Sequence, residues 1–206
     1  MVHWIAGKVK LTDLQKEGLE EIGNIGSGQS TDFLSDIIKR KVEIATPEMG
    51  VIPLSESTKE LKEKFYKKNP VFNVYVPITG LKGGISVILD KKDYIELINL
   101  IEHQIDEKYT LMELSEDIAK CYLEAVNNFL YKSLGFGNGK LFYMPIDSLL
   151  DYLSNNMVTD EEKKSDALII NTEFHISDEI SGKIVLLINI GHISELTDAL
   201  DKLLNI

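Results

Sequence analysis

Hydrophobic residues in the first part of the chain recur every three to four positions, which is the spacing of an amphipathic helix. The pattern runs from residue 11 to about residue 41 and is interrupted by Gly23, Gly26 and Gly28. Each glycine costs a helix interior about 1 kcal/mol relative to alanine. We therefore expect one long helix with a bend, or two helical pieces, whose backbone another helix approaches closely.

A set of strand-like segments follows this helix. They are enriched in β-branched and aromatic residues, as strands are, and they cover residues 42–45, 49–54, 71–78 and 84–89. The sequence TGLKGG at 79–84 predicts a hairpin turn between the last two strands. An amphipathic helix is predicted over residues 90–102, where the apolar positions again fall on one face.

The second half of the chain repeats the order of the first. A long helix is predicted over residues 111–134, strands over 141–144, 167–176 and 182–190, and a closing helix over 193–204. The segments GGISVILD at 83–90 and GKIVLLIN at 182–189 each begin at a glycine and lead into a helix. The pattern indicates two related halves, about 11–102 and 111–204, that share one sheet within a single domain over 1–206. The polar insert at 151–166 is predicted to be a surface loop.

Charge and cysteine content narrow the classes of function. The chain has 206 residues, with 22 Lys and Arg against 33 Asp and Glu, and a net charge of −11. Nucleic-acid binding and attachment to an anionic membrane favour a basic surface, so neither partner is expected. The single cysteine excludes an internal disulfide framework, and we find neither a leader peptide nor a membrane span. We expect a cytoplasmic protein.

Three chemistries that the residues could suggest find little support. The histidines stand apart from one another and from Cys121, so a metal site is not expected, and Cys121 is predicted to be a core residue. No G-x-S-x-G elbow is present, which argues against a serine nucleophile. The segment at 23–30 nearly matches a phosphate-binding loop, but Gln29 replaces its lysine and the segment follows a helical pattern instead of a strand.

One polar stripe within the first helix is the most informative feature. Glu17, Glu21 and Asn24 are separated by four and three positions, which places them on one helical face. Taken alone, such a stripe is most often a solvated face. The residues around it change this interpretation.

The string EIGNIGSGQS contains Asn24, and 22 residues separate Asn24 from Pro47. This combination resembles the CheC/CheX/FliY family of chemotaxis phosphatases. Glu21, Asn24 and Pro47 match the family's Glu, Asn and Pro at the required spacings, while Glu17 stands where the family carries Asp or Ser. The segment VPITGLKGGISVIL at 76–89 is also similar to the family. The resemblance covers most of the chain.

The resemblance implies hydrolysis of the aspartyl phosphate on a CheY-type response regulator. The regulator would supply its own Mg²⁺ and a lysine to the phosphoryl group, so no cofactor of the chain's own is expected. Asn24 would orient the attacking water, because its neutral carboxamide both donates and accepts hydrogen bonds. Glu21 would pair with the regulator's lysine, and Glu17 and Pro47 would support the motif.

Family members often carry a second copy of the motif, and here that copy is degenerate. Its positions fall on Tyr109, Glu113 and Glu116, so a carboxylate replaces the asparagine. A negative charge facing a phosphoryl group is unfavourable. We therefore expect one active site, in the first half of a pseudo-twofold α/β protein with a mainly antiparallel sheet and the two long motif helices packed on it.

A binding module is the alternative to an enzyme. The chain could sequester a phosphorylated regulator or dock a partner such as the receptor-modifying deamidase CheD, which members of this family bind. A flagellar switch component is less expected, since FliY members carry an additional C-terminal domain and this sequence ends at Ile206. A relative with a role outside chemotaxis is a third possibility.

Overall fold

A computed structural model describes residues 4–5, 11–53, 70–102, 110–145, 148, 152, 166–189 and 193–204. The helices in these ranges are α1 (Asp13–Ile38), α2 (Lys91–Glu102), α3 (Leu111–Leu130) and α4 (Ile193–Leu204). The strands are β1 (Trp4–Ile5), β2 (Val42–Ile44), β3 (Glu48–Pro53), β4 (Pro70–Thr79), β5 (Gly83–Asp90), β6 (Gly135–Phe136), β7 (Lys140–Pro145), β8 (Asp166–Ile176) and β9 (Ile180–Asn189). The predicted loop at 151–166 lies almost wholly outside the described residues.

The described strands form one mixed sheet in the order β1-β3-β8-β9-β5-β4-β6, with β2 also paired to β8 and β7 to β4. Every pairing is antiparallel except that of β1 with β3. The predicted fold class, an α/β protein with a mainly antiparallel sheet, is confirmed. No described helix has the length and apolar character needed to span a membrane.

The strand pairings are arranged about the central pair β5 and β9. On one side of this pair lie β4 and then β7, and on the other side lie β8 and then β3. The helices α1 and α3 both end in a left-handed residue, Lys39 (φ 52°) and Tyr131 (φ 51°), which are 92 positions apart. The first residues of β3 and β7, Glu48 and Lys140, are separated by the same 92 positions. This is the arrangement that a duplication would produce.

The helix α1 passes without interruption through Gly23, Gly26 and Gly28, so of the two predicted alternatives the single long helix is correct and the two helical pieces are wrong. Two of the glycines are sites of close contact. A Cβ at Gly26 would lie 2.6 Å from Tyr122 Cε1 on α3, and a Cβ at Gly23 would lie 2.7 Å from Ile170 Cγ2 on β8. The hydroxyl of Ser30 donates to the backbone oxygen of Ile118 at 3.0 Å, which ties α1 to α3 beside this crossing.

The predicted helix over 111–134 extends too far, because α3 ends at Leu130. The left-handed Tyr131 turns the chain, and the side chain of Asn127 then replaces the missing helical hydrogen bonds. Its Nδ2 donates to the Leu134 oxygen at 2.7 Å and its Oδ1 accepts from the Leu134 N–H at 2.9 Å. A side chain that bonds the backbone seven residues later is not visible in the hydrophobic periodicity.

The crossing of α1 and α3 predicts the effect of a methyl group at Gly26. Helix propensity alone would favour Gly26→Ala by about 1 kcal/mol. The Tyr122 ring leaves no room for the new Cβ, and overpacking of a filled core typically costs about 1–3 kcal/mol. We expect the free energy of unfolding, measured by urea denaturation, to fall by about 1–2 kcal/mol.

The Gly26→Ala, Tyr122→Leu double variant provides the control. If the Tyr122 ring causes the loss of stability, the effects of the two substitutions are not additive. The free energy of unfolding of the double variant should then fall by less than the summed losses of the two single variants, by a margin of at least about 0.5 kcal/mol. A Gly26→Ala protein as stable as the wild type would contradict the packing described for this crossing.

Candidate active site

The three predicted residues of the stripe lie on the solvent-facing side of α1. Glu17, Glu21 and Asn24 are all exposed, whereas Leu19 and Ile22, between them in the sequence, are almost completely buried. The helix begins at a capping box in which the Thr12 hydroxyl accepts from the Gln15 N–H and the Gln15 side chain accepts from the Thr12 N–H. The stripe is therefore displayed by a helix that is fixed at its start and along its buried face.

Asn24 and Glu21 contact each other directly. The Asn24 amide nitrogen Nδ2 donates to Glu21 Oε2 at 3.4 Å. This distance is long for a hydrogen bond. Only the NH₂ end of an amide can donate to a carboxylate, so the contact leaves the carbonyl oxygen of Asn24, which no described residue engages, to accept a further hydrogen bond.

Pro47 supports the motif from beneath and is not part of its exposed surface. It is buried, and its Cβ would lie 3.2 Å from a Cβ at Gly23, the residue before Asn24. The intervening chain completes α1, turns at the left-handed Lys39, forms β2 and returns to the helix just before β3. The spacing of 22 residues is thus the length of chain needed to return to the helix below Asn24.

One turn further along, the buried Ser27 hydroxyl donates to Thr172 Oγ1 of β8 at 2.7 Å. Together with the contact of Gly23 with Ile170, this bond fixes the rotation of α1 on the sheet. The position of Asn24 follows from these buried contacts.

The degenerate second motif lies on α3, where Glu113 serves the helix start. It is the third residue of the helix, and its carboxylate accepts from both the backbone N–H and the hydroxyl of Thr110 at 2.8 Å. The backbone hydrogen bond from Thr110, followed by the hydroxyl, holds the pKa of Glu113 below its usual value of 4.5. The helix α1, in contrast, begins two turns before Glu21. Tyr109 lies outside the described residues.

Glu116, in the asparagine position, is also engaged. Its Oε1 accepts from the backbone N–H of Gly139 at 2.7 Å. Gly139 stands 92 positions after Pro47, the separation that relates the two long helices and the strands β3 and β7. Where the first half places a buried proline beneath the motif, the second half places a glycine N–H against the motif carboxylate.

The structure also bears on the phosphate-binding loop, the cysteine and the metal site that the sequence analysis considered. The glycine-rich segment at 23–30 lies inside α1, so it has no loop that could surround a phosphate, and its rejection as a phosphate-binding loop is confirmed. Cys121 is half-buried, so the core position predicted for it is only partly correct, and burial raises the pKa of its thiol. Within the described residues, no group of three or more histidines, cysteines or carboxylates could hold a metal ion.

Two sequence comparisons bear on the family. Residues 19–50, which include Glu21, Asn24 and Pro47, match the model of the CheC-like family. The flagellar motor switch phosphatase FliY of Bacillus subtilis is 29% identical over 92 residues, which are 44% of this chain and 23% of that relative. The chain thus matches about a quarter of the length of this relative.

Solved structures agree in fold. FliY of Thermotoga maritima superposes with a TM-score of 0.72 at 19% identity, covering 94% of this chain and 99% of that one. The FliM middle domain of H. pylori gives a TM-score of 0.62 at 11% identity, with 92% and 99% covered. The fold is shared with FliY, and the Glu/Asn pair on the long helix lies within the segment that matches the CheC-like family. In this segment and in its fold, the chain is similar to CheC-like and FliY proteins.

The hydrogen bonds at the start of α3 predict a pH-dependent contribution to stability. Thr110→Ala removes an N-cap, which is typically worth about 1 kcal/mol at neutral pH, and also removes the hydroxyl that bonds the Glu113 carboxylate. Because the pKa of Glu113 is lowered in the folded protein, its ionised form stabilises the fold above the unfolded-state pKa, and this contribution is lost as the pH falls through the folded-state pKa. Urea denaturation should therefore show a smaller difference between wild type and variant at acidic pH than at pH 7. A difference that grows on acidification would contradict this assignment.

Proposed function

We propose that the protein is a phosphatase that hydrolyses the aspartyl phosphate of a phosphorylated CheY-type response regulator, with one active site on α1. The observation that carries the proposal is the direct contact of Asn24 with Glu21 on the exposed face of a helix whose rotation is fixed by buried contacts. The similarity of residues 19–50 to the CheC-like family and the similarity to a flagellar motor switch phosphatase of B. subtilis support a phosphatase.

The chemistry needs little from this chain. In hydrolysis, a water oxygen forms a bond to phosphorus as the bond from phosphorus to the aspartyl oxygen breaks, which releases inorganic phosphate and restores the carboxylate. The receiver supplies its own Mg²⁺ and lysine for the phosphoryl charge, so positioning the water in line is the remaining task. A hundredfold acceleration corresponds to about 2.7 kcal/mol of barrier.

Asn24 performs this positioning in the proposed mechanism. Its Oδ1 accepts a hydrogen bond from the attacking water, while Nδ2 remains directed by the Glu21 carboxylate. A neutral acceptor can approach the phosphoryl oxygens without the repulsion that a carboxylate would introduce.

Glu21 acts in binding. Its exposed carboxylate pairs with the lysine that the receiver presents beside the phosphoryl group, which anchors the receiver above Asn24. Glu17 lies one turn earlier on the same face and adds negative charge that favours the approach of that lysine.

The second face is inactive in this proposal. The carboxylate of Glu116 is held by the Gly139 N–H and that of Glu113 by Thr110. Neither side chain is an amide that can both donate to a neighbour and accept from water.

A non-catalytic adaptor is the second candidate. The fold is shared with FliM middle domains, which are not named as phosphatases, and the two faces of the chain differ in their chemistry. Such an adaptor would bind a response regulator or a CheD-type deamidase, with the second face available for docking.

Turnover by Asn24 variants separates the two candidates. We expect substoichiometric wild-type protein to accelerate the decay of a phosphorylated CheY-type receiver in Mg²⁺, and Asn24→Ala to lower the rate by about a hundredfold or more, since positioning effects are of this size. The binding of the receiver to Asn24→Ala should change little. The rate of inorganic phosphate release, measured under multiple-turnover conditions, reports this decrease.

Glu116→Ala, at the corresponding position of the second motif on α3, is the matched control. It should leave turnover unchanged and lower only stability, because it removes the hydrogen bond to the Gly139 N–H. Measurable binding without any acceleration by the wild type would favour the adaptor. A loss of turnover in Glu116→Ala equal to that in Asn24→Ala would contradict the single site.

A further inference from the structure

Gly28 differs from the other glycines of α1 because no described residue packs against the position of its Cβ. The positions at Gly18, Gly23 and Gly26 are filled, and a Cβ at each would lie 2.8, 2.7 and 2.6 Å from a neighbouring side-chain atom. A Cβ at Gly28 would meet no heavy atom of the described residues within 4 Å. An alanine would fit there and would favour the helix, so packing against the described residues does not require glycine.

Gly28 is half-buried and lies on the same side of α1 as the exposed stripe. With 100° of rotation per residue, it lies about 40° around the helix from Asn24 and between Asn24 and Glu21, roughly 6 Å further along the axis. A side chain at this position would project beside the Asn24 amide, on the surface where the proposed function places the receiver.

The second half of the chain offers an internal comparison. The residue 92 positions after Gly28 is Lys120, which is exposed on α3. Lys120 lies four residues after Glu116, just as Gly28 lies four residues after Asn24. In the second motif, hydrogen bonds hold the carboxylates of Glu116 and Glu113. The Asn24 amide, whose carbonyl oxygen no described residue engages, has an open surface beside it, whereas the engaged Glu116 carboxylate is followed by a long charged side chain.

We infer that Gly28 is a positioning residue that keeps the surface beside Asn24 open, so that the backbone carrying the receiver's phosphoryl group can approach α1 closely. This inference rests on the proposed function. The Asn24 amide is short, so it reaches a water held at the phosphorus only if the receiver comes close to the helix. A side chain at position 28 would hold the receiver away, and a misplacement of about 1 Å can lower a rate by about a hundredfold.

Substitutions of increasing size at position 28 test this inference, with kcat/KM for receiver dephosphorylation and thermal unfolding measured on the same proteins. Gly28→Ala should raise Tm by about 2–4 °C, because the helix gains propensity without a clash, and should still lower kcat/KM. Gly28→Lys, which copies the second face, should lower kcat/KM by at least about tenfold. The matched control is Gln29→Lys, which places the same charge at the next exposed position, away from the stripe.

The possible outcomes distinguish a failure of this inference from a failure of the proposed phosphatase function. A more stable but slower Gly28→Ala protein, with Gln29→Lys near wild-type activity, supports the inference, since a purely structural glycine would not lose activity as stability rises. Gly28→Lys as active as Gln29→Lys, in a protein whose turnover still depends on Asn24, overturns the role of Gly28 and leaves the phosphatase intact. A wild type without turnover overturns the proposed function and this inference together.

Discussion

The close contact of α1 with the sheet and with α3 is the constraint on which the remaining structure depends. Gly23 lets the helix approach Ile170 and Pro47, and Gly26 lets it approach Tyr122. Any larger residue at these two positions would move the helix outward. Because the same contacts fix the rotation of α1, they also decide which residues face solvent, so the motif is positioned by core packing and not by its own polar contacts.

The two long helices show how related faces diverge. Both end in a left-handed residue, but α3 begins closer to its motif than α1 does, so Glu113 falls in the first turn and caps the helix. The next motif carboxylate, Glu116, is held by the Gly139 N–H. Glu113 and Glu116 thus stabilise the fold, whereas Glu21 on α1 accepts a hydrogen bond from the exposed Asn24.

Local periodicity predicted most of the fold, because it reports burial directly. The amphipathic pattern located α1 and α2 within a few residues, and the β-branched segments located β4, β5, β8 and β9. It failed where a single side chain decides the structure, as at Asn127, which ends α3 by bonding Leu134. The exposed stripe and the start of α3 at residue 111 also followed from the sequence, but the capping role of Glu113 depends on its hydrogen bonds with Thr110, which hydrophobic spacing does not report.

The central claim is that a receiver docks on α1 with its phosphoryl group at Asn24. The most direct measurement is a crystal structure of the full chain with a CheY-type receiver activated by beryllofluoride and Mg²⁺. We expect one receiver per chain, with its lysine paired to Glu21 and the Asn24 amide within hydrogen-bonding distance of a water in line with the beryllium. A receiver bound at α3 around Glu116, or one bound on α1 with Asn24 remote from the beryllofluoride, would contradict it.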